Sequence, residues 1–273
     1  MKITGKTALV LGASRGIGLA IARILADHGV RLALPWFDWP ESTTAMAEEF
    51  ADPQHLVLPV DLRSPDQVAG LMTAISEWSG GLDILINNIE RGGMPILHGS
   101  YHREVNRQQW QLEQETTLHA KWLVFDQALP LLRHSREAVV VNISSIAGQV
   151  GRTGPAGLLF NDGYAAANRG VSLLTETWAR IGAPNIRVNE LMLGLIDSRH
   201  GPGTRGWDLL SAGQREELLT HTLLGRTGTL EEVARAVLFL VRDADFLTGA
   251  ILRMDGGYVL GGELPPKMPG GIL

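Results

Sequence analysis

The chain has 273 residues, a formal net charge of -5, 45% hydrophobic residues and no cysteine. A chain of that length can bury the core of one sizeable α/β domain, and its charge, with no basic run, leaves no footprint for nucleic acid. The absence of cysteine excludes disulfides, thiolate metal sites and thiolate nucleophiles, which fits the cytoplasm.

The N-terminus enters an apolar strand, Thr7 to Leu11, almost at once, leaving no room for a signal peptide. Gly12-Ala13-Ser14-Arg15-Gly16-Ile17-Gly18 follows as a glycine-rich turn. A helix is predicted from Gly16 to His28, with Ile17, Ala20, Ile21, Ile24 and Leu25 at helical spacing and Gly29 as its stop. This reads as the first βα unit of a dinucleotide fold, in which glycines let the backbone approach a pyrophosphate facing the helix N-terminus. Taken alone, three spaced glycines fit a tight turn without ligand equally well.

Further strands are predicted at Arg31 to Leu34, His55 to Pro59, Ile84 to Asn87, Ala138 to Ile143, Arg187 to Met192 and Ala250 to Met254. Long helices are predicted at Glu104 to Arg133 and Tyr164 to Ile181. Short β-branched runs alternating with helical patterns give a Rossmann-like, doubly wound parallel sheet of about seven strands with helices on both faces, one domain spanning 1–273. The pattern loosens between Asp197 and Leu224, where Gly201, Pro202, Gly203 and Gly206 precede a short helical stretch, and 198–224 reads as a substrate lid. The tail, 261–273, carries Pro265, Pro266 and Pro269 and reads as irregular. No apolar run approaches the roughly 20 residues of a membrane span, and the eight histidines form no metal-ligand spacing.

Beyond the glycine turn come, in order, Ser144-Ser145-Ile146-Ala147-Gly148, Tyr164, Asn185-Ile186-Arg187-Val188-Asn189, Thr248-Gly249 and Asp255-Gly256-Gly257. From about Lys6 to Leu260 this resembles the short-chain dehydrogenase/reductase family. The resemblance implies hydride transfer between a nicotinamide dinucleotide and a small carbonyl or alcohol compound. In that family a tyrosine protonates the carbonyl oxygen, a serine hydrogen-bonds it, a lysine lowers the tyrosine pKa and holds the nicotinamide ribose, and an asparagine anchors a relay water. Ser145 and Tyr164 match, Asn168 stands at the lysine, and Thr117, counted from Trp110, falls at the asparagine. Read without the family, Ser145 caps a strand end and Tyr164 opens a helix.

A free tyrosine has a pKa near 10, and a neighbouring ammonium favours its phenolate. Losing about two units of that help costs roughly 3 kcal/mol and slows alcohol oxidation about a hundredfold, whereas carbonyl reduction starts from the neutral phenol. Reduction is therefore the expected direction. Asn168 keeps an amide able to hydrogen-bond a ribose hydroxyl. Lys121, one turn beyond Thr117, is the candidate replacement cation, since Arg169 adjoins Asn168 and points elsewhere on the helix.

The resemblance assigns Gly12, Ser14, Arg15, Gly16, Ile17 and Gly18 to the pyrophosphate cradle, Asp61 and Leu62 to the adenine, and Asn88 to the cleft beneath the ribose. Gly194, Ile196 and Ser198 are assigned to the nicotinamide end. Trp36 and Phe37 stand where family members carry the acidic or basic residue that selects NAD or NADP. Both fit sheet-edge packing and adenine stacking alike. Arg15 leans the choice to NADP, with NAD the alternative.

The family's Asn-Asn-Ala-Gly reads Asn87-Asn88-Ile89-Glu90 here. A carboxylate about 4 Å from a pyrophosphate would be repelled by roughly 1 kcal/mol in water and about 4 kcal/mol at an effective dielectric near 20. Glu90 is accordingly read as turned to solvent, the alternative being neutralisation by Arg91. Leu11 replaces the hydroxyl residue usual before Gly12. An insertion, 151–160, brings Leu158, Leu159 and Phe160 as an apolar wall suited to a hydrophobic carbonyl compound. A homotetramer or homodimer built on the long helices is implied. A second reading keeps the fold without hydride transfer, as a ligand-binding protein or a non-redox acid-base enzyme catalysing dehydration or cyclisation.

Overall fold

Alternate residues of a strand face opposite sides of its sheet, and here both sides are covered. The structure, a computed structural model, describes residues 1–90, 104–198 and 210–261. Arg91, the lid residues 199–209 and the tail residues 262–273 lie outside the described residues.

Seven strands, β1 (Thr7–Val10), β2 (Arg31–Trp36), β3 (Leu56–Pro59), β4 (Ile84–Asn87), β5 (Ala138–Ser145), β6 (Ile186–Leu193) and β7 (Ile251–Met254), form one sheet in the order β3-β2-β1-β4-β5-β6-β7. Every pairing is parallel. All seven predicted strands are present, no end moved by more than two residues. The helices are α1 (Gly16–Asp27), α2 (Pro40–Glu49), α3 (Pro65–Ser79), α4 (Glu104–Glu113), α5 (Ala120–His134), α6 (Ala147–Val150), α7 (Asp162–Gly182), α8 (Ala212–His221) and α9 (Leu230–Arg242).

Ala8, Val10, Leu32, Leu34, Ile84, Ile86, Val139 and Val141 point to one face and pack with Ile21 and Leu25 of α1 and Val233, Val237 and Leu240 of α9. Leu9, Leu11, Ala33, Leu85 and Val140 point to the other and meet Leu71 and Ile75 of α3, Val124 and Leu132 of α5 and Trp178 of α7. Strands covered on both sides must be apolar almost throughout, which is why their runs were legible as a parallel sheet.

The predicted helix from Glu104 to Arg133 is not continuous. A π-helical turn, Gln114–His119, separates α4 from α5. One wide turn inserts an extra residue and rotates everything beyond it, a feature that tends to mark functional sites. Periodicity read along the sequence runs through it unnoticed.

Arg187 of β6 ties the last helix to the sheet. Its guanidinium donates to the carbonyls of Leu240 (3.0 Å), Val241 (3.0 Å) and Ala244 (2.9 Å) at the C-terminal end of α9. A cation there meets both the unpaired carbonyls and the negative end of the helix dipole. Arg187→Ala is expected to lower the unfolding free energy by about 2 to 3 kcal/mol, and Arg187→Lys to recover only part, because one ammonium cannot serve three carbonyls at once. Urea melts of the three proteins check this ordering.

Candidate active site

The strand order reverses between β1 and β4, and a crevice opens beyond their C-terminal ends, where doubly wound sheets bind ligands. Backbones are pressed together at its base. A Cβ on Gly18 would lie 2.0 Å from the Gly12 carbonyl oxygen, and one on Gly12 would lie 2.3 Å from the Asn88 carbonyl oxygen. Asn88 Nδ2 also donates to the carbonyls of Leu11 and Gly12, at 3.4 and 3.5 Å, so β4 braces the turn.

The cleft is about 810 Å³, and Gly12, Ser14, Arg15, Gly16, Ile17, Trp36, Asp61, Leu62, Asn88, Ser145, Tyr164, Gly194, Ile196 and Ser198 all line it. Gly18 underlies it as a packing residue. A dinucleotide fits the turn: α1 begins with no side-chain cap and no acidic residue in its first turn, so its amides are left for an anion.

At the far end of the cleft, aromatic rings are paired with cations. The Arg15 guanidinium lies 3.7 Å from the Trp39 ring centroid and that of Arg63 lies 5.2 Å from Phe37. Trp39 has φ 66, the one positive φ outside glycine among the described residues, a conformation that costs energy and recurs at ligand sites. Phe37 is exposed while Trp36 packs partly against the core. Asp61 is engaged by its neighbour, Arg63 donating to both carboxylate oxygens at 2.8 Å, and that pairing holds the Asp61 carboxyl below its ordinary range.

Tyr164 stands in the first turn of α7, where the Asn161 side chain accepts from its backbone N–H at 2.7 Å and caps the helix. Ser145 ends β5, its Oγ accepting from the Ala147 amide at 3.1 Å. The serine thus caps the strand end and lines the cleft as well. Asn168 is fully buried, does not line the cleft, and donates from Nδ2 to the Tyr164 carbonyl at 3.0 Å; its Oδ1 has no hydrogen-bond partner. Thr117 lies in the π turn, buried, with its hydroxyl donating to Glu113 at 3.2 Å, and the neighbouring Thr116 lines the cleft instead.

Glu90 is not turned to solvent as expected. Its Oε2 accepts from the Tyr164 phenol at 2.7 Å. The phenol is therefore in hydrogen-bond contact with a carboxyl group. The contact spans 74 positions of sequence, beyond the reach of any local reading.

Two charged residues lie behind the site: Lys121, read from the sequence as the candidate replacement cation, and Glu190, which was not read as part of it. Lys121 of α5 is 1% exposed, and its ammonium donates to the Ile143 carbonyl at 2.5 Å. Burial pushes its pKa down to about 8, against the pull of Glu90 and then Glu190. Glu190 of β6 is fully buried, accepting from Ser172 Oγ at 3.0 Å and from Ser144 Oγ, while its second oxygen has no partner. Burial raises its pKa, opposed by the two serines and then by Lys121. Sequence held a signal for both. Lys121 keeps helical step with the buried Val124, Phe125, Ala128 and Leu132, and Glu190 interrupts an apolar strand.

Of the insertion, Leu159 and Phe160 line the cleft, whereas Leu158 is exposed and does not. The loop is pinned by the Ala156 amide, which donates to the Tyr258 hydroxyl at 2.6 Å. Among the described residues, no cluster of histidine and carboxylate side chains is arranged to hold a metal, and no helix is long and apolar enough to cross a membrane.

A glycine turn at the switch point, with a serine and a tyrosine across one cleft, defines a nucleotide-dependent oxidoreductase scaffold. Residues 12–259 match the family described as enoyl-(acyl carrier protein) reductase, and the chain belongs to the short-chain dehydrogenase/reductase family. It is 31% identical over 264 residues to a 3-oxoacyl-(acyl-carrier-protein) reductase of Staphylococcus aureus, covering 95% of this chain and 100% of that one. It is 34% identical over 257 residues to the cis-4-hydroxycyclohexanecarboxylate dehydrogenase of Sinomonas cyclohexanicum, covering 93% and 96%. A Brucella melitensis structure titled as a glucose/ribitol dehydrogenase of the same family superposes with a TM-score of 0.79 at 26% identity, covering 94% of this chain and 98% of that one.

The buried amine has a consequence for stability. In the folded protein Lys121 releases its proton near pH 8, whereas unfolded it holds it to the ordinary value of 10.5. Between those values the unfolded state binds more protons, so this group's contribution to stability rises with pH, and its cost is complete below pH 8. Lys121→Met is expected to stabilise the protein at pH 7 by about 1 to 3 kcal/mol. The advantage should shrink toward pH 10, as urea melts at pH 7 and 9.5 will show.

Proposed function

We propose that this protein is an NADP-dependent reductase acting on an apolar carbonyl compound, with Tyr164 as the acid and Ser145 as the group that orients the carbonyl oxygen. The observation that carries this reading is one cleft lined at one end by the glycine turn and at the other by Tyr164 and Ser145. A bound reduced nicotinamide dinucleotide supplies the hydride. The turn from Gly12 to Ile17 holds the pyrophosphate on the free amides of α1, and Gly194, Ile196 and Ser198 hold the nicotinamide end. Ser145 Oγ donates to the carbonyl oxygen and Tyr164 hands it a proton. Leu112, Leu159, Phe160 and Leu193 make the surrounding wall apolar and keep water from the reacting carbon.

NADP is favoured over NAD because Arg15 sets a guanidinium in the cleft over Trp39, just beyond β2, and Trp36 and Phe37 carry no acid where family members hold the carboxylate that selects NAD. Asn168, folded back on α7, holds that helix rather than the ribose, so two of the four catalytic positions differ in role from the family pattern. The single domain, with 198–224 as its lid, is read as a cytoplasmic homodimer or homotetramer, supported by the exposed Trp122 of α5 and Leu173 of α7. The second reading, acid-base chemistry without hydride transfer, is favoured by one observation, the carboxylate of Glu90 on the phenol.

Titration of nicotinamide fluorescence separates the two. NADPH is expected to bind at least about tenfold tighter than NADH, with Arg15→Ala removing most of the difference. No fluorescence change at millimolar cofactor would end the oxidoreductase reading. In steady-state assays on a panel of hydrophobic ketones, Tyr164→Phe is expected to lose about a hundredfold or more in kcat.

A further inference from the structure

We propose that Glu90 is the proton-exchange partner of Tyr164, a carboxyl relay in the place where the family pattern has a glycine and no side chain. The inference rests on the reductase reading for its reaction and on geometry for the pair itself. The Tyr164 phenol donates to Glu90 Oε2 at 2.7 Å, both groups line the cleft, and Glu90 is only partly buried.

With Glu90 ionised, the hydrogen bond favours the neutral phenol, and a phenolate there would face a like charge. Tyr164 cannot then give up its proton unless one arrives from the other side. In carbonyl reduction the carbonyl carbon takes a hydride from a reduced nicotinamide dinucleotide and the C=O π pair takes the Tyr164 proton, forming the new C–H and O–H bonds. The Tyr164 oxygen takes the proton of a neutral Glu90 carboxyl, and the resulting carboxylate takes up one proton from bulk solution, the proton that the net reduction consumes. Alcohol oxidation runs the same transfers backward, and its proton ends on Glu90 without a free phenolate forming.

The charged groups on the surrounding elements fit this assignment. Lys121 of α5 lies within electrostatic reach of both Glu90 and Glu190 of β6. Glu113, at the end of α4, is occupied by Gln109 at 2.7 Å and by Thr117. Arg15 of the glycine turn lines the same cleft but lies over Trp39. Lys121 is therefore the buried cation that balances the carboxylate when it is ionised. Asn168 supplies an amide to backbone and leaves the phenol to Glu90.

The test has one arm without cofactor and one with it. The chain holds three tyrosines, so the ultraviolet tyrosinate titration of Tyr164 is isolated by subtracting the Tyr164→Phe protein in each background. Glu90→Gln is expected to lower the Tyr164 midpoint by about one pH unit or more, because the like charge is gone. Glu90→Gly, restoring the family's residue, should do the same and serves if the glutamine variant fails to fold. In the pH profile of ketone reduction, the wild-type rate should fall about tenfold per unit above the first ionisation of the Glu90–Tyr164 pair, and in the variants that limb should move up to the tyrosinate midpoint, because Tyr164 alone remains as the acid. An unchanged tyrosinate midpoint, or a shifted midpoint with the alkaline limb unmoved, overturns the relay. A shifted midpoint in a protein that turns over neither ketones nor alcohols upholds the pair and removes the reductase reading instead.

Discussion

The site depends on one hydrogen bond between two acids. A phenol that would ordinarily lean toward a cation gives its hydrogen to a carboxylate at 2.7 Å, and the neighbouring substitutions are consistent with that exchange. Asn168 has no charge to offer and turns its amide to its own helix. The positive charge in the region comes from a different helix, as Lys121, buried beneath Ile143 and held between the fields of two glutamates. A buried ammonium with one carbonyl partner is costly, and so is a buried carboxyl whose second oxygen is unpaired. Costs of this kind tend to persist where they serve a site.

The scaffold around that bond is ordinary for its family. Parallel strands apolar on both faces build a rigid sheet, and the reversal of strand order leaves a crevice that the chain lines with residues from the ends of β1, β2, β3, β4, β5 and β6. Because the site is assembled from strand ends, individual residues can change without moving their neighbours. On the proposed reading, a member of the family carries altered proton chemistry on an unaltered frame.

Much of that frame was legible in the sequence. The strands show as short apolar runs, and the glycine turn is spelled out because only glycine permits the contacts at Gly12 and Gly18. The site was legible in part. Ser145, Tyr164 and the turn residues lie on the cleft because they sit at fixed places relative to strand and helix ends. Three features escaped for physical reasons. A π turn shifts the helical phase by one residue without a sequence signal of its own, so the step from Thr117 to Thr116 at the cleft was hidden. The direction of the Asn168 side chain is a rotamer choice that a short amide makes locally. Glu90 reaches Tyr164 across 74 residues, and a loop glutamate reads as solvated until a partner is brought to it.

The measurement that bears most directly on this account is a crystal structure of the protein at neutral pH, fine enough to place side-chain oxygens, with and without NADPH. The account predicts the Glu90 carboxylate within hydrogen-bond distance of the Tyr164 oxygen, near the 2.7 Å found here, with Lys121 buried behind it. An ammonium or guanidinium resting against that phenol oxygen, with Glu90 directed into solvent, would contradict it.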